Sequence, residues 1–111
     1  TSIRLLVTEV EFIYYIYVVD KEDHLLGVFT LKKLLTSPLD TKLEEIMTKN
    51  VKFVRLDTGR KEIAEIISKY DLVAIPVLDD EKTLKGIITV DDIIDMLVPN
   101  PTRRKKGRAF R

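Results

Sequence analysis

The feature that most constrains the fold is an internal repeat at a spacing of 59 residues. When residues 16–35 are laid over residues 75–94, seven of the twenty positions are identical. Such self-similarity marks a structural unit that recurs along the chain, so two similar units packed against each other are predicted. The structurally demanding identities are Asp20/Asp79, Gly27/Gly86 and Thr30/Thr89.

The second copy is predicted to follow the order β-α-β-β-α after a short leading helix. Thr41 and Glu44 have capping-box spacing, and so do Thr89 and Asp92, which places helix starts at both points. The intervening segments show strand alternation or one apolar helical stripe. The expected elements are a helix from Asp40 or Thr41, a strand over residues 51–56, a helix that follows Gly59 and runs to about Tyr70, strands at residues 73–77 and 87–88, and a last helix.

The first copy is predicted to be truncated, because the shift places the counterparts of residues 43–59 before Thr1. Residues 2–6 are then expected to be the end of the matching helix. Each unit is too small to bury a sheet face alone, so an α+β fold of tandem repeats packed sheet to sheet about a pseudo-twofold axis is predicted. The expected boundaries are residues 1–38 for the first repeat, 39–97 for the second and 98–111 for a basic tail.

A candidate ligand corner lies where the strand at residues 87–88 meets the last helix. The first amides of a helix are unpaired and the helix dipole favours negative charge, so a hydroxyl and a carboxylate there suit a ribose or a phosphate. Simple helix capping by Thr89 and Asp92 is the alternative. In the first copy Lys33 replaces the carboxylate, and lysine cannot accept from a ribose diol, so that site is expected to be degenerate.

Composition excludes several classes of function. The chain has 45% hydrophobic and 33% charged residues, no cysteine, and no apolar run long enough for a membrane span. The single histidine, His24, falls in a polar turn, and no nucleophile–base spacing is present, so catalysis is not expected. Six basic residues crowd the last thirteen positions and leave an acidic body. A disordered or non-native tail is expected there; contact with nucleic acid or anionic lipid is the alternative.

Three strings give the chain a family resemblance. EIMT at residues 45–48, AIPVLD at residues 74–79 and the G-h-h-T-x-x-D pattern at residues 86–92 resemble a cystathionine β-synthase (CBS) domain pair. Within that superfamily, the segments at residues 13–20, 25–35, 69–79 and 86–97 look like the cytosolic CBS region of MgtE-type magnesium transporters. The resemblance implies a non-enzymatic regulatory domain, cytosolic in location, that belongs to an integral membrane protein.

The resemblance also implies ligands and partners. It implies magnesium at acidic dimer interfaces, with Asp71, Asp92 and Asp95 at the matching acidic positions. AMP, ADP or ATP is the further ligand, for which Thr89 and Asp92 would hold the ribose and apolar residues including Ala74 and Pro76 would contact the base. Gly59 and Lys61 stand where the family has acids, which puts ions at that end in doubt. The implied partners are a second copy, an acidic N-terminal domain and a membrane domain. Nucleic acid is not expected as a partner.

Two other functions remain open at this point. One is a stand-alone module that binds adenine nucleotides and regulates a partner protein, and the other is a purely structural dimerisation module. A head-to-head homodimer with a flat, disc-like shape is expected, because apolar residues on the long helix and on the last helix exceed what one thin sheet can cover. These residues are Ile63, Ile66, Ile67, Tyr70, Ile93, Ile94, Met96 and Leu97.

Overall fold

Each half of the chain is built on an antiparallel hairpin that leads directly into a helix. The computed structural model describes residues 3–97, in two three-stranded sheets with the strand orders β1-β2-β3 and β4-β5-β6. The elements are β1 (Ile3–Val10), β2 (Ile13–Asp20), β3 (Leu25–Thr30), α1 (Leu31–Thr36), α2 (Leu43–Ile46), β4 (Val54–Arg55), α3 (Arg60–Tyr70), β5 (Ala74–Leu78), β6 (Leu84–Thr89) and α4 (Val90–Leu97).

The two hairpin turns have the same hydrogen-bond geometry. Asp20 Oδ1 accepts from the amides of Glu22 and His24, each at 2.9 Å. Asp79 Oδ1 likewise accepts from the amides of Glu81 and Thr83, each at 2.9 Å. These bonds lower the pKa of both aspartates, since amide donors stabilise the ionised carboxylate. The repeated aspartate is therefore a turn residue in both copies, as its position in the sequence predicted.

The two copies meet through reciprocal bonds that reveal the pseudo-twofold axis. The Leu25 amide donates to the Lys82 carbonyl at 3.2 Å, and the Leu84 amide donates to the Asp23 carbonyl at 2.8 Å. These pairs exchange under the 59-residue shift, and His24 forms an antiparallel bridge with Thr83 between them. The predicted pseudo-twofold relation between the repeats is thus visible in the backbone hydrogen bonds.

Both faces of β2 are buried. Ile16 and Val18 pack with Phe29 and with residues of α2. On the opposite face Tyr17 and Val19 are only 2% and 0% exposed. Burial raises the pKa of Tyr17 to about 12, with a smaller effect from Tyr15. A strand whose residues 16–19 are buried on both faces needs a packed layer on each side, as the predicted sheet-to-sheet packing supplies. The α+β class with tandem repeats is confirmed.

The second sheet has a core of its own beneath two helices. Ile63 and Ile67 of α3 pack on Val54 and Ile75, with Ile93 of α4 completing the cluster. The apolar stripe predicted for α3 is therefore largely used within the chain. Ile66 is half-buried, and Tyr70 at the end of the helix remains 42% exposed.

The prediction of a helix end at residues 2–6 is wrong. Residues 3–10 form β1, which pairs antiparallel with the whole of β2 after a two-residue turn. Glu11 and Phe12 in that turn have φ angles of 51° and 68°, as a hairpin turn of type I′ requires. The apolar β2 needs a second neighbour, and the segment nearest to it along the chain provides one. In the second sheet that place is taken by β4, which is parallel to β5.

Two smaller predictions for the second copy also fail. The helix α2 begins at Leu43 with Lys42 as its N-cap and no side-chain cap, so Thr41 and Glu44 form no capping box. The Thr41 amide instead donates to the Pro38 carbonyl in a preceding turn. The strand expected over residues 51–56 is reduced to β4, because only Val54 and Arg55 pair with β5.

Two further points concern the ends of the chain and membranes. The tail at residues 98–111 lies outside the described residues. Within residues 3–97, none of the helices combines the length and the apolar character that crossing a membrane would require.

Candidate functional site

The strand-to-helix corner of the second copy is a reciprocal cap between two side chains. Asp92 Oδ2 accepts from the Thr89 amide at 3.0 Å and from the Thr89 hydroxyl at 3.1 Å. The Asp92 amide in turn lies 3.4 Å from Thr89 Oγ1. The capping geometry expected from their spacing is therefore present. The two side chains lie where β6 ends and α4 begins, and Asp92 is exposed.

The corner is held against the neighbouring strand. Thr89 stands opposite Ala74 in the β5–β6 register, and the Val90 amide donates to the Val73 carbonyl at 2.9 Å. Ala74 is half-buried beside the corner, whereas Pro76, two residues further along β5, is fully buried. Of the two predicted base contacts, Ala74 therefore lies beside the hydroxyl–carboxylate pair, while Pro76 is enclosed within the sheets.

The three acids predicted for magnesium occupy different environments. Asp71 caps the C-terminus of α3 in the left-handed region, with φ 56° and ψ 41°, and is exposed. Asp92 is tied to Thr89, and Asp95 is half-buried in the next turn of α4. Within residues 3–97 no three or more His, Cys, Asp or Glu side chains are grouped so that they could hold a metal ion. One copy of this part of the chain does not bring the predicted acids together as a chelating set.

The strand-to-helix corner of the first copy has the threonine but a lysine in place of the carboxylate. Thr30 Oγ1 accepts from the Lys33 amide at 3.1 Å, so the threonine cap is repeated without a carboxylate. Beside it lies an open groove of about 660 Å³, which sequence reasoning did not predict. The aromatic cluster at residues 12–17 was the available signal. The groove is lined by Phe12, Ile13, Tyr14, Tyr15, Thr30, Leu31, Lys32, Leu35 and Thr36.

The single histidine is part of the joint between the repeats. His24 Nδ1 lies 3.0 Å from Asp20 Oδ2, and this hydrogen bond is the main cause of its raised pKa. Glu22 and Glu81 raise the pKa further through their charges. This half-buried imidazole is paired with a turn carboxylate and supports the geometry of the turn.

The fold and the two threonine corners define a tandem-repeat module of the CBS type. The CBS domain family matches residues 43–99, which is half of the chain. The chain belongs to the CBS domain family.

Two matches to magnesium transporters show what the chain is similar to beyond the family. The chain is 42% identical over 100 residues to the magnesium transporter MgtE of Thermus thermophilus, a match that covers 90% of this chain and 22% of that protein. It resembles a crystal structure of the soluble part of a magnesium transporter, with a TM-score of 0.72, 44% identity and coverage of 78% of this chain and 34% of that one.

A second similar solved structure contains a bound nucleotide. The cytosolic domain of the Mg2+ channel MgtE in complex with ATP has a TM-score of 0.71 and 45% identity, covering 78% of this chain and 35% of that one. The family resemblance drawn from the sequence is confirmed, as is the expectation of a non-enzymatic chain. The chain spans about a fifth of the length of the MgtE relative.

Proposed function

We propose that the chain is a cytosolic regulatory CBS pair of a magnesium transporter, which senses magnesium, with adenine nucleotide as a further ligand, and gates transport through a homodimer. The observation that carries this proposal is the 44% identity, over 78% of the chain, to the soluble part of a magnesium transporter. The membrane domain and the acidic N-terminal domain of the parent protein are its proposed partners within the longer chain.

The placement of the acids supports a magnesium site shared between copies. Magnesium prefers oxygen ligands in octahedral geometry and is usually held by one or two carboxylates while keeping several waters. Asp71 and Asp92 are exposed, so two copies can present them to each other. Bringing these carboxylates together without a cation costs free energy through charge repulsion, so ion binding and closure of the dimer would be linked.

Exposed apolar side chains support the homodimer. Val7 is 61% exposed, Leu35 73% and Phe12 90%, and Tyr70 adds an aromatic ring at the end of α3. Apolar surface of this kind commonly marks an interface, and identical chains usually associate about a twofold axis. The dimer was predicted from apolar residues of α3 and of the last helix, whereas Val7, Phe12 and Leu35 belong to the first copy.

Adenine nucleotide binding is the second candidate, favoured by the ATP complex of the MgtE neighbour. Thr89 and Asp92 supply a hydroxyl and a carboxylate beside the first amides of α4, where the helix dipole favours a phosphate. A ribose diol would compete with the Thr89 hydroxyl for Asp92 Oδ2. A stand-alone nucleotide module would use the same corner.

The test measures oligomeric state and ligand binding on the same protein. Sedimentation equilibrium is run with and without magnesium at millimolar concentration, and calorimetry is run with AMP, ADP and ATP. Magnesium-dependent dimerisation that is lost in Asp92→Asn supports the sensor. Nucleotide binding without any magnesium effect favours the stand-alone module. A monomer that is unaffected by magnesium and binds no nucleotide would contradict both.

A further inference from the structure

The outer edge of the first sheet is a long strand that no other segment covers in the part of the chain that the structure describes. β1 has 8 residues and pairs with β2 over its whole length without a bulge, and within residues 3–97 its other side pairs with nothing. The opposite edge of this sheet is closed, because Val28 of β3 exchanges two backbone hydrogen bonds with Thr48 at 3.0 and 2.7 Å. A free edge presents a row of unpaired backbone donors and acceptors, which is a template for another strand.

The register of the sheet shows which residues of β1 direct their backbone groups to this free edge. Val28 directs its groups to Thr48, away from β2, so the next residue, Phe29, bonds to Ile16 of β2. Bonded and non-bonded pairs alternate in an antiparallel ladder, so the groups of Ile16 point away from β1. Val7 stands opposite Ile16 and therefore directs its amide and carbonyl outward. By the same alternation, the outward-facing residues of β1 are Ile3, Leu5, Val7 and Glu9.

This edge lacks the features by which sheets avoid pairing with other chains. β1 contains no lysine, no proline and no bulge, and its one arginine, Arg4, is paired with Asp23 of the same chain. The centre of the strand is apolar and open to solvent, since Leu5, Leu6 and Val7 are between 36% and 61% exposed. A second strand that covered this edge would therefore gain both backbone hydrogen bonds and apolar burial.

The sequence of β1 is complementary to itself about Leu6. A twofold axis perpendicular to the sheet makes two β1 strands antiparallel, and outward-facing residues can then pair only with outward-facing residues. At the centre of the strand this permits an axis at Leu5, Leu6 or Val7. With the axis at Leu6, Leu5 stands opposite the partner's Val7, and the two Leu6 residues face each other. All outward-facing backbone groups are then paired, and no like charges are opposed.

The other two registers fit less well. An axis at Val7 sets Leu5 against the partner's Glu9. An axis at Leu5 sets Leu6 against the partner's Arg4 and leaves the backbone groups of Glu9 beyond the end of the partner's strand. The Leu6 register, meaning the one with the axis at Leu6, is the one that joins apolar residues at the centre and uses the whole strand.

We propose that β1 pairs with β1 of a second molecule of this chain in the Leu6 register, so that the two first sheets form one continuous six-stranded sheet. One strand edge is small beside the roughly 800 Å² per partner of a standard interface, so the dimer is weak and forms at high protein concentration. The contact uses only the first repeat. It is separate from the proposed magnesium site at Asp71 and Asp92 and does not rest on the magnesium function.

Single cysteines test the register, because the chain has no cysteine of its own. In the Leu6 register the two residues at position 6 form a non-bonded pair with Cα atoms about 4.5 Å apart, a distance that a disulfide spans. Leu6→Cys should therefore cross-link into a dimer in a glutathione redox buffer that contains EDTA. Val7→Cys is the matched control, because the two residues at position 7 are then more than about 7 Å apart. We expect severalfold more cross-linking in Leu6→Cys.

Sedimentation equilibrium of the full chain in EDTA measures the association without magnesium. The parent should pass from monomer to dimer between micromolar and millimolar concentration. Val7→Lys places a charge against the partner's Leu5 and should weaken this dimer severalfold. Leu56→Lys is the matched control, because Leu56 is 66% exposed, close to the 61% of Val7, but belongs to the segment after β4. That variant should associate like the parent.

Hydrogen exchange in the unaltered chain gives a measurement that needs no substitution. The amides of Leu5 and Val7 should become protected as the protein concentration rises, which supports the proposal. A parent that stays monomeric at millimolar concentration would leave this edge to a different segment and overturn the proposal. Cross-linking of Val7→Cys equal to that of Leu6→Cys, or association of Val7→Lys equal to that of the parent, would also overturn it. Because EDTA is present, none of these outcomes depends on the magnesium site.

Discussion

Asp92 Oδ2 accepts hydrogen bonds from both the amide and the hydroxyl of Thr89, at 3.0 and 3.1 Å. The carboxylate that closes the cap of α4 is therefore also the one proposed to hold a ribose or a hydrated magnesium ion. Under that proposal, loss of this side chain affects both helix stability and ligand binding. The two effects can be separated only by a substitution that keeps the hydrogen bonds and removes the charge.

Asp92→Ala and Asp92→Asn provide that separation. The alanine variant loses the cap, and its free energy of unfolding should fall by about 1 kcal/mol. The asparagine oxygen can still accept from Thr89, so that variant should lose less than half as much. If Asp92 serves magnesium, both variants lose the stabilisation by magnesium equally. Urea denaturation with and without magnesium measures both quantities, and a magnesium effect retained in the asparagine variant would exclude a role for the charge.

The two repeated glycines should respond oppositely to the same substitution. In Gly27→Ala the new Cβ meets Met47 Sδ and the Thr48 carbonyl oxygen at under 3 Å, and the backbone oxygen cannot rotate away. We expect a loss of about 1–3 kcal/mol, as for overpacking in a core. Gly86→Ala is the matched control and should change stability by no more than about 0.5 kcal/mol. Equal losses in the two variants would show that the copies are packed alike at these positions.

The sequence predicted the parts of the fold that the repeat itself encodes. Asp20 and Asp79 form matching turns, and the cap of Thr89 and Asp92 starts the last helix, because local spacing determines these features. The residues before the repeat could not be assigned in this way. Residues 3–10 form a strand because β2 requires a neighbour, which is a tertiary requirement that local pattern does not report.

In the candidate site, too, local geometry could be predicted from the sequence, whereas features that depend on packing or on a second copy could not. The geometry of one corner follows from a four-residue motif, so it could be predicted. Whether Asp71, Asp92 and Asp95 meet around an ion depends on a second copy of the chain, which no spacing in one sequence specifies. The groove beside Thr30 was missed because it arises from the packing of α1 on β2, and the aromatic residues that line it are equally typical of a core.

Asp71 offers a substitution that should stabilise the fold while removing a predicted ligand. Its φ angle of 56° lies in the left-handed region at the C-terminus of α3, where glycine is the favoured residue. Asp71→Gly should raise the free energy of unfolding by about 0.5–1 kcal/mol. Asp71→Ala is the control, since it removes the same carboxylate but keeps a Cβ, and it should not be stabilised.

The readout for Asp71 is thermal unfolding combined with sedimentation in magnesium. If Asp71 contributes to the ion site, both variants should need more magnesium to dimerise although one of them is more stable. A glycine variant that is less stable than the parent would contradict the cap assignment. Unchanged dimerisation in both variants would remove Asp71 from the ion site.

The stability of the contact between the two repeats should depend on pH through the protonation of His24. Its hydrogen bond to Asp20, together with the charges of Glu22 and Glu81, raises its pKa above 6.5 in the folded chain. The contribution to stability is therefore complete below pH 6.5 and is lost as the pH rises through the folded pKa. Asp20, whose pKa is lowered below 3.8, contributes in the opposite sense and loses its contribution only in acid.

His24→Thr tests this pH dependence with a turn that the chain already contains. Thr83 is the counterpart of His24, and its amide donates to Asp79 Oδ1 at 2.9 Å, so the substitution copies a turn known to fit. Denaturation between about pH 5 and about pH 8 should show the parent losing stability as the pH rises. The variant should give a flatter profile with its fold intact. Because solvent still reaches the half-buried His24 side chain, we expect a small difference, and parallel profiles for the two proteins would exclude His24 as its source.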